Sequence, residues 1–138
     1  MAVKRVVCMI DKDSDREARL FHGTTFDVAQ KVLAQKAFEL RETYFASTRE
    51  LAELFATRSS RKHSIVRAPA VIVVVLYESD LKSWQRNKLV ATRGFSEGDR
   101  PEFRGQTQMV FSAEAVRFLN RDMFSGDLAI EGGRQRAV

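Results

Sequence analysis

The sequence predicts an α+β domain, and three observations predict it. Strand-like and helix-like segments follow one another without the regular βαβ alternation that builds a parallel sheet. One run, Ala70 to Tyr77, is almost uniformly apolar and β-branched, as a strand buried on both faces is. Neither G-x-G-x-x-G nor G-x-x-x-x-G-K-[ST], the phosphate-gripping turns of the common parallel folds, occurs in the chain. With 138 residues there is room for one domain, residues 1–138, and not for two. At this length folding buries roughly two thirds of the unfolded surface, so the core needs neither a structural metal nor a disulfide lattice. Cys8, the only cysteine, has no partner in its own chain. Paired-cysteine zinc sites are thereby excluded, and a reducing compartment is the expected home.

Val3 to Ile10 has the content of a strand, and the charged run Asp11 to Glu17 reads as a turn. That run begins like a calcium loop. Its sixth position is Arg16, where glycine must allow the sharp turn, and its twelfth is His22, where a bidentate carboxylate belongs, so calcium is rejected and no metal is expected. Ala18 to Thr24 is a second strand. From Phe26 the positions Phe26, Ala29, Val32, Leu33 and Ala37 recur at helical spacing, with Thr25 placed to cap the first turn. Tyr44 to Ser47 is a strand end. Ser47-Thr-Arg-Glu50 then reads as a capping box, opening a helix whose Leu51, Leu54 and Phe55 share one face.

Ala70 to Tyr77 is expected at the centre of the sheet. Asp80 to Pro101 is mixed and charged, with a short strand at Lys88 to Thr92 and a flexible loop around Gly94 to Pro101. Arg104 to Ser112 is a further strand and Ala113 to Leu119 a short helix. Residues 121–138 read as a polar, flexible tail.

The chain carries 23 Lys and Arg against 18 Asp and Glu, a net charge of +5 that favours acidic partners such as nucleic acid, phosphorylated cofactors or acidic protein surfaces. Arg58, Arg61, Lys62 and Arg67 lie with His63 between Thr57 and Ala68 without a carboxylate among them. Two readings stand for that patch: a solvated basic loop, or a contact for the phosphates of a ligand. The N-terminal apolar run, Val6 to Ile10, is too short for a secretory leader, and Ala68 to Tyr77 is far short of the ~20 residues that cross a bilayer. A cytoplasmic protein without a membrane partner is expected.

Phe21-His22-Gly23-Thr24-Thr25 closes a strand and opens a helix. About twenty residues later Tyr44-Phe45-Ala46-Ser47 does the same, and Phe55 follows on the next helix. In order, residue type and approximate spacing these motifs resemble the ADP-ribosyltransferase superfamily. The resemblance is closest to its His-Tyr branch, that of poly(ADP-ribose) polymerases, diphtheria-toxin-like enzymes and small bacterial or phage toxin-like transferases. That branch carries H-G-[ST] on its first core strand, then a Tyr-[Phe/Leu] strand end, then a helix with a second aromatic. The resemblance covers roughly Ala18 to Asn120 and implies a split antiparallel β core with short flanking helices, and NAD as co-substrate.

It also implies roles. His22 would hydrogen-bond the adenosine-side ribose, with Thr24 a second polar contact beside it. Gly23, lacking a Cβ, would bring its backbone N–H and C=O against the nicotinamide carboxamide. Tyr44 and Phe55 would stack on the nicotinamide ring; at helical spacing with Leu51, Phe55 is equally a core residue. In polymerase-like members a serine of this helix binds the carboxamide. Ala52 stands in the matching region here, which leaves Ser47 to replace part of that contact. Arg58, Arg61 or Lys62 would meet the pyrophosphate.

The superfamily's late strand carries a glutamate that stabilises the cation formed as nicotinamide leaves. The matching strand here, Arg104 to Phe111, has none. Alternation turns Met109 and Phe111 to the core and Gln106 and Gln108 to the cleft. A glutamine amide can hold a ribose hydroxyl but lacks the charge, and losing such preorganised help commonly costs about 10²–10³ in rate. Glu97, Asp99 and Glu102 in the preceding loop are the candidate substitutes. Polymer synthesis is not expected. The resemblance therefore implies a mono-ADP-ribosyltransferase acting on a protein, nucleic acid or small molecule. The alternatives are a non-catalytic module that binds NAD, ADP-ribose or a protein, and a basic nucleic-acid-binding domain without an NAD site.

Overall fold

The computed structural model describes residues 16–62, 68–95, 101–124, 126 and 129–131. The strand expected at Val3 to Ile10, residues 11–15 of the turn after it and Cys8 lie outside them; Glu17, expected at the end of that turn, instead opens the first strand. Among the described residues six strands form one antiparallel sheet in the order β4-β5-β2-β1-β3-β6. They are β1 (Glu17–Thr25), β2 (Thr43–Ala46), β3 (Pro69–Tyr77), β4 (Val90–Gly94), β5 (Thr107–Phe111) and β6 (Ala129–Glu131). Four α-helices accompany them: α1 (Phe26–Gln35), α2 (Arg49–Lys62), α3 (Glu78–Arg86) and α4 (Ala113–Asp122). The class is α+β, as the irregular order of elements requires. No helix among the described residues is long and apolar enough to cross a membrane.

The pleat sorts the core into two clusters. Leu20, Phe45, Ile72, Val74 and Phe111 face α1, α3 and α4, whose Val32, Trp84, Val116 and Leu119 complete the larger cluster. Ala46 and Val71 face α2, whose Leu51 and Ala52 complete the smaller one with Phe103. β3 is buried from Ala70 to Leu76 because helices cover both of its faces. It is not the central strand. β3 pairs with β1 in register from Glu17↔Tyr77 to Thr25↔Pro69 and with the short β6 on its other edge, so β1 and β2 hold the middle. A uniformly apolar run reports what lies above and below a strand, not its place in the order.

Three local expectations are corrected. Thr25 stands at the cap of α1 with an extended backbone, but its side chain makes no cap bond and its Oγ1 is buried without a partner. The Phe26 N–H is satisfied instead by the Ala68 carbonyl at 2.8 Å. Ser47 is not the cap of α2. The Ser47 N–H donates to the Thr107 carbonyl at 2.9 Å, and its Oγ accepts from the Thr107 N–H at 3.2 Å, which laces β2 to β5. Thr48 takes the cap, its Oγ1 accepting from the Leu51 N–H at 3.2 Å. Finally, β6 and the end of α4 occupy positions expected in the tail.

α1 ends on Lys36, which adopts a left-handed backbone (φ 55°, ψ 38°). The Lys36 N–H bonds the Leu33 carbonyl and the Ala37 N–H the Val32 carbonyl, each at 3.3 Å, the paired closure of a helix that favours glycine at this position. The left-handed form costs an ordinary residue roughly 1–2 kcal/mol, and a glycine loses roughly 0.5–1 kcal/mol more on ordering. Lys36→Gly is therefore expected to stabilise the fold by about 0.5–1 kcal/mol, read as a rise in the denaturation midpoint. A lowered midpoint would contradict this account of the turn.

Candidate functional site

β1 and β2 pair at one position, Phe21 with Ala46, and then part. The side chain of His22 bridges the opening: its Nδ1 lies 2.7 Å from the main-chain oxygen of Tyr44. A carbonyl only accepts, so Nδ1 carries the hydrogen, and in the neutral ring Nε2 keeps its lone pair as an acceptor. The ring is held edge-on to Phe38 (5.5 Å, 85°) and tilted against Phe45 (5.4 Å, 50°). Phe38 is itself pinned by Asn120 of α4, which accepts from the Phe38 N–H and donates to its carbonyl, both at 2.9 Å.

Burial among these rings pushes the His22 pKa below its ordinary 6.5; the Tyr44 carbonyl opposes the shift and the Arg41 charge adds to it. The imidazole is thus neutral at neutral pH. Because the unfolded chain takes up that proton more readily than the folded one, this contribution to stability is present above pH about 6.5 and is lost as pH falls through the depressed folded value. Melting temperature is expected to drop over that acid interval, and less steeply in His22→Gln. Identical pH profiles would contradict the assignment.

His22 and Tyr44 both border a cavity of about 360 Å³ between α1, the loop after it and the start of β2. Val28, Val32 and Phe38 give it an apolar floor, and Lys31, Gln35, Arg41, Glu39 and Glu42 a polar rim. Glu39 sits between two cations, Lys31 at 3.7 Å and Arg41 at 3.5 Å. Tyr44 is 45% exposed, and its hydroxyl donates to Glu42 Oε1 at 3.0 Å. That hydrogen bond, and then the carboxylate's charge, raises the phenol's pKa.

The remaining expected residues divide. Alternation along β2 buries Phe45 beside the imidazole and turns the Tyr44 ring to the other face of the strand pair, so imidazole and phenol meet through a main-chain carbonyl rather than ring to ring. Thr24, half-buried, follows His22's face. Gly23 lies on the α2 face. A Cβ there would fall on the Ala52 carbonyl oxygen and 2.8 Å from the Ala56 nitrogen, so the close seat of α2 already requires glycine.

Gln108 stands opposite Ala46 of β2 and Arg93 of β4, half-buried on the same face as Tyr44. Met109 and Phe111 turn to the larger cluster as alternation requires. Gln106 is held by Thr48, whose Oγ1 donates to its Oε1. Phe55 packs edge-on against Phe103 at 5.7 Å within the smaller cluster. Ser47 is tied to β5 and does not border the cavity. Arg58 belongs to α2, so the basic segment begins as helix rather than loop, but the side chains of Arg58, Arg61 and Lys62 lie outside the described ones, as do those of Glu97, Asp99 and Glu102. Among the described residues no group of three metal-ligating side chains occurs.

Sequence reasoning missed the wall built by α1 and its loop. Val28, Lys31 and Gln35 follow one another at helical i, i+3 and i+4 steps, a stripe that marks a shared face. Arg41 and Glu42 carried no such signal, because the loop after Phe38 has no period to read. No protein-family model, curated protein or solved structure matches the chain.

Proposed function

We propose that the chain is a NAD-dependent mono-ADP-ribosyltransferase that breaks the nicotinamide–ribose bond and passes ADP-ribose to a protein, nucleic acid or small molecule. The observation that carries this reading is the imidazole of His22, its Nδ1 braced on the Tyr44 carbonyl where β1 and β2 part, beside a cavity of ligand size. A lone pair fixed at that point suits a ribose hydroxyl. The backbone of Gly23, in the plane of the sheet at the same opening, suits the carboxamide edge of nicotinamide, and the half-exposed Tyr44 ring suits its face. Gln108, on the face that Tyr44 shares, is the candidate partner for the second ribose. The cationic rim residues Lys31 and Arg41 suit the pyrophosphate.

Catalysis would proceed by loosening the C1′–N bond until the electron pair leaves with nicotinamide. The protein's part is to hold both riboses still and to stabilise the positive charge left on the sugar. A second reading, a non-catalytic module that binds NAD or ADP-ribose, is favoured by β5 and the residue before it, where Gln108 and Gln106 stand in place of a carboxylate and Gln106 is already engaged by Thr48. Release of free nicotinamide from NAD separates the two: the transferase reading expects it, and tight NAD binding without release would establish the second.

A further inference from the structure

The transferase chemistry has an electrostatic requirement that β5 does not meet. When the C1′–N bond breaks, both of its electrons leave on the pyridine nitrogen, nicotinamide departs neutral, and the positive charge passes to C1′ and the ring oxygen of the ribose. The acceptor's nucleophile then forms the new bond to C1′ and releases its proton to solvent. A negative group near C1′ stabilises the cationic stage, and a glutamine amide cannot supply one.

Among the described residues two carboxylates border the cavity, and their surroundings differ. Glu39 lies between Lys31 and Arg41, so its charge is already balanced. Glu42 has no cation partner among the described residues; it accepts one hydrogen bond, from the Tyr44 hydroxyl at 3.0 Å, through Oε1.

The position of Glu42 follows from the start of β2. Thr43 is 7% exposed, and its Oγ1 donates to the Arg41 carbonyl at 2.8 Å, so the residue between Glu42 and Tyr44 is anchored. Residues on either side of an anchored strand position point the same way, which brings Glu42 and Tyr44 together. The chain thus carries an unneutralised carboxylate joined to the aromatic ring expected against nicotinamide, two residues before it in sequence.

We propose that Glu42 is the catalytic carboxylate of this site, stabilising the ribosyl cation from the β2 side while the Tyr44 hydroxyl holds it in place. This rests on the transferase reading. Its consequence is a cation-stabilising group carried just before the strand that bears the stacking aromatic rather than on β5.

Glu42→Gln keeps shape and hydrogen-bonding capacity while removing the charge, and Glu42 is exposed, so folding is expected to be unchanged by melting temperature. Nicotinamide release in this variant is expected to fall by about 10²-fold or more in kcat, with NAD affinity by calorimetry within threefold of the natural chain. Tyr44→Phe keeps the carboxylate and the ring, and is expected to lose less than tenfold. Release by Glu42→Gln within threefold of the natural chain would overturn the role of Glu42 alone. Equal losses in Glu42→Gln and Tyr44→Phe would overturn it too, since the carboxylate would then act only by orienting the phenol. A natural chain that binds NAD but releases no nicotinamide, or does not bind NAD, would overturn the transferase reading and this proposal together.

Discussion

Gly23→Ala is expected to destabilise the fold by about 3 kcal/mol, at the upper end of what added volume costs in a packed interior. The new methyl would meet the Ala52 carbonyl oxygen and the Ala56 nitrogen, both main-chain atoms of α2. A side chain could rotate away, but a helix backbone must move as a body. Relief would lift α2 from β1 and open the cluster of Ala46, Leu51, Ala52, Val71 and Phe103. Chemical denaturation measures the cost directly. An unchanged midpoint would show that α2 does not sit as closely on β1 as described.

This separates two explanations of the same glycine. Close approach to a ligand and close approach to a helix both require a missing Cβ, and the second operates here whether or not a nucleotide binds. The stronger functional prediction therefore belongs to residues without such a packing demand. Tyr44→Ala is expected to reduce nicotinamide release at least 10²-fold while changing stability by less than about 0.5 kcal/mol, because the ring is half-exposed and, among the described residues, is tied to Glu42. His22→Ala is expected to lose as much activity and some stability as well, since the imidazole fills the space against Phe38 and Phe45 and braces the Tyr44 carbonyl. Full activity in both variants would remove the site assignment.

What could be read from the sequence follows from how each signal arises. α1 was legible because its apolar positions repeat at the helical period, and β3 because its run is almost uniformly apolar and β-branched; both signals survive without knowledge of neighbours. α3 was not. Its buried side chains, Leu81 and Trp84, give a single i, i+3 pair in a segment otherwise rich in charge, too little to outweigh the polar composition. The cap of α2 slipped by one residue because Ser47 and Thr48 are both good caps, and the choice was made by Thr107 across the sheet, which claimed Ser47. β6 pairs with β3 over three positions and carries no pattern of its own.

The site was legible to the same extent. His22 and Tyr44 stood out through the turns that follow them, and they do border one cavity. Their connection through a carbonyl, the Phe38 flank held by Asn120, and the pairing of Glu42 with Tyr44 are products of tertiary contact between segments up to 82 residues apart, which no local pattern encodes. Phe55 shows the converse: the ligand role and the core role predict the same residue at the same spacing, and its contact with Phe103 satisfies the second.

In the proposed transferase, Nε2 of His22 is a neutral acceptor aimed at a dinucleotide. Nitrogen NMR of the imidazole during titration with NAD tests it most directly, and the chain has only one other histidine, His63, to distinguish. A Nδ1-protonated, neutral His22 at neutral pH is expected, with an Nε2 resonance that shifts saturably as NAD is added. A charged ring, or an Nε2 resonance that stays fixed at NAD concentrations well above those of cells, would contradict it.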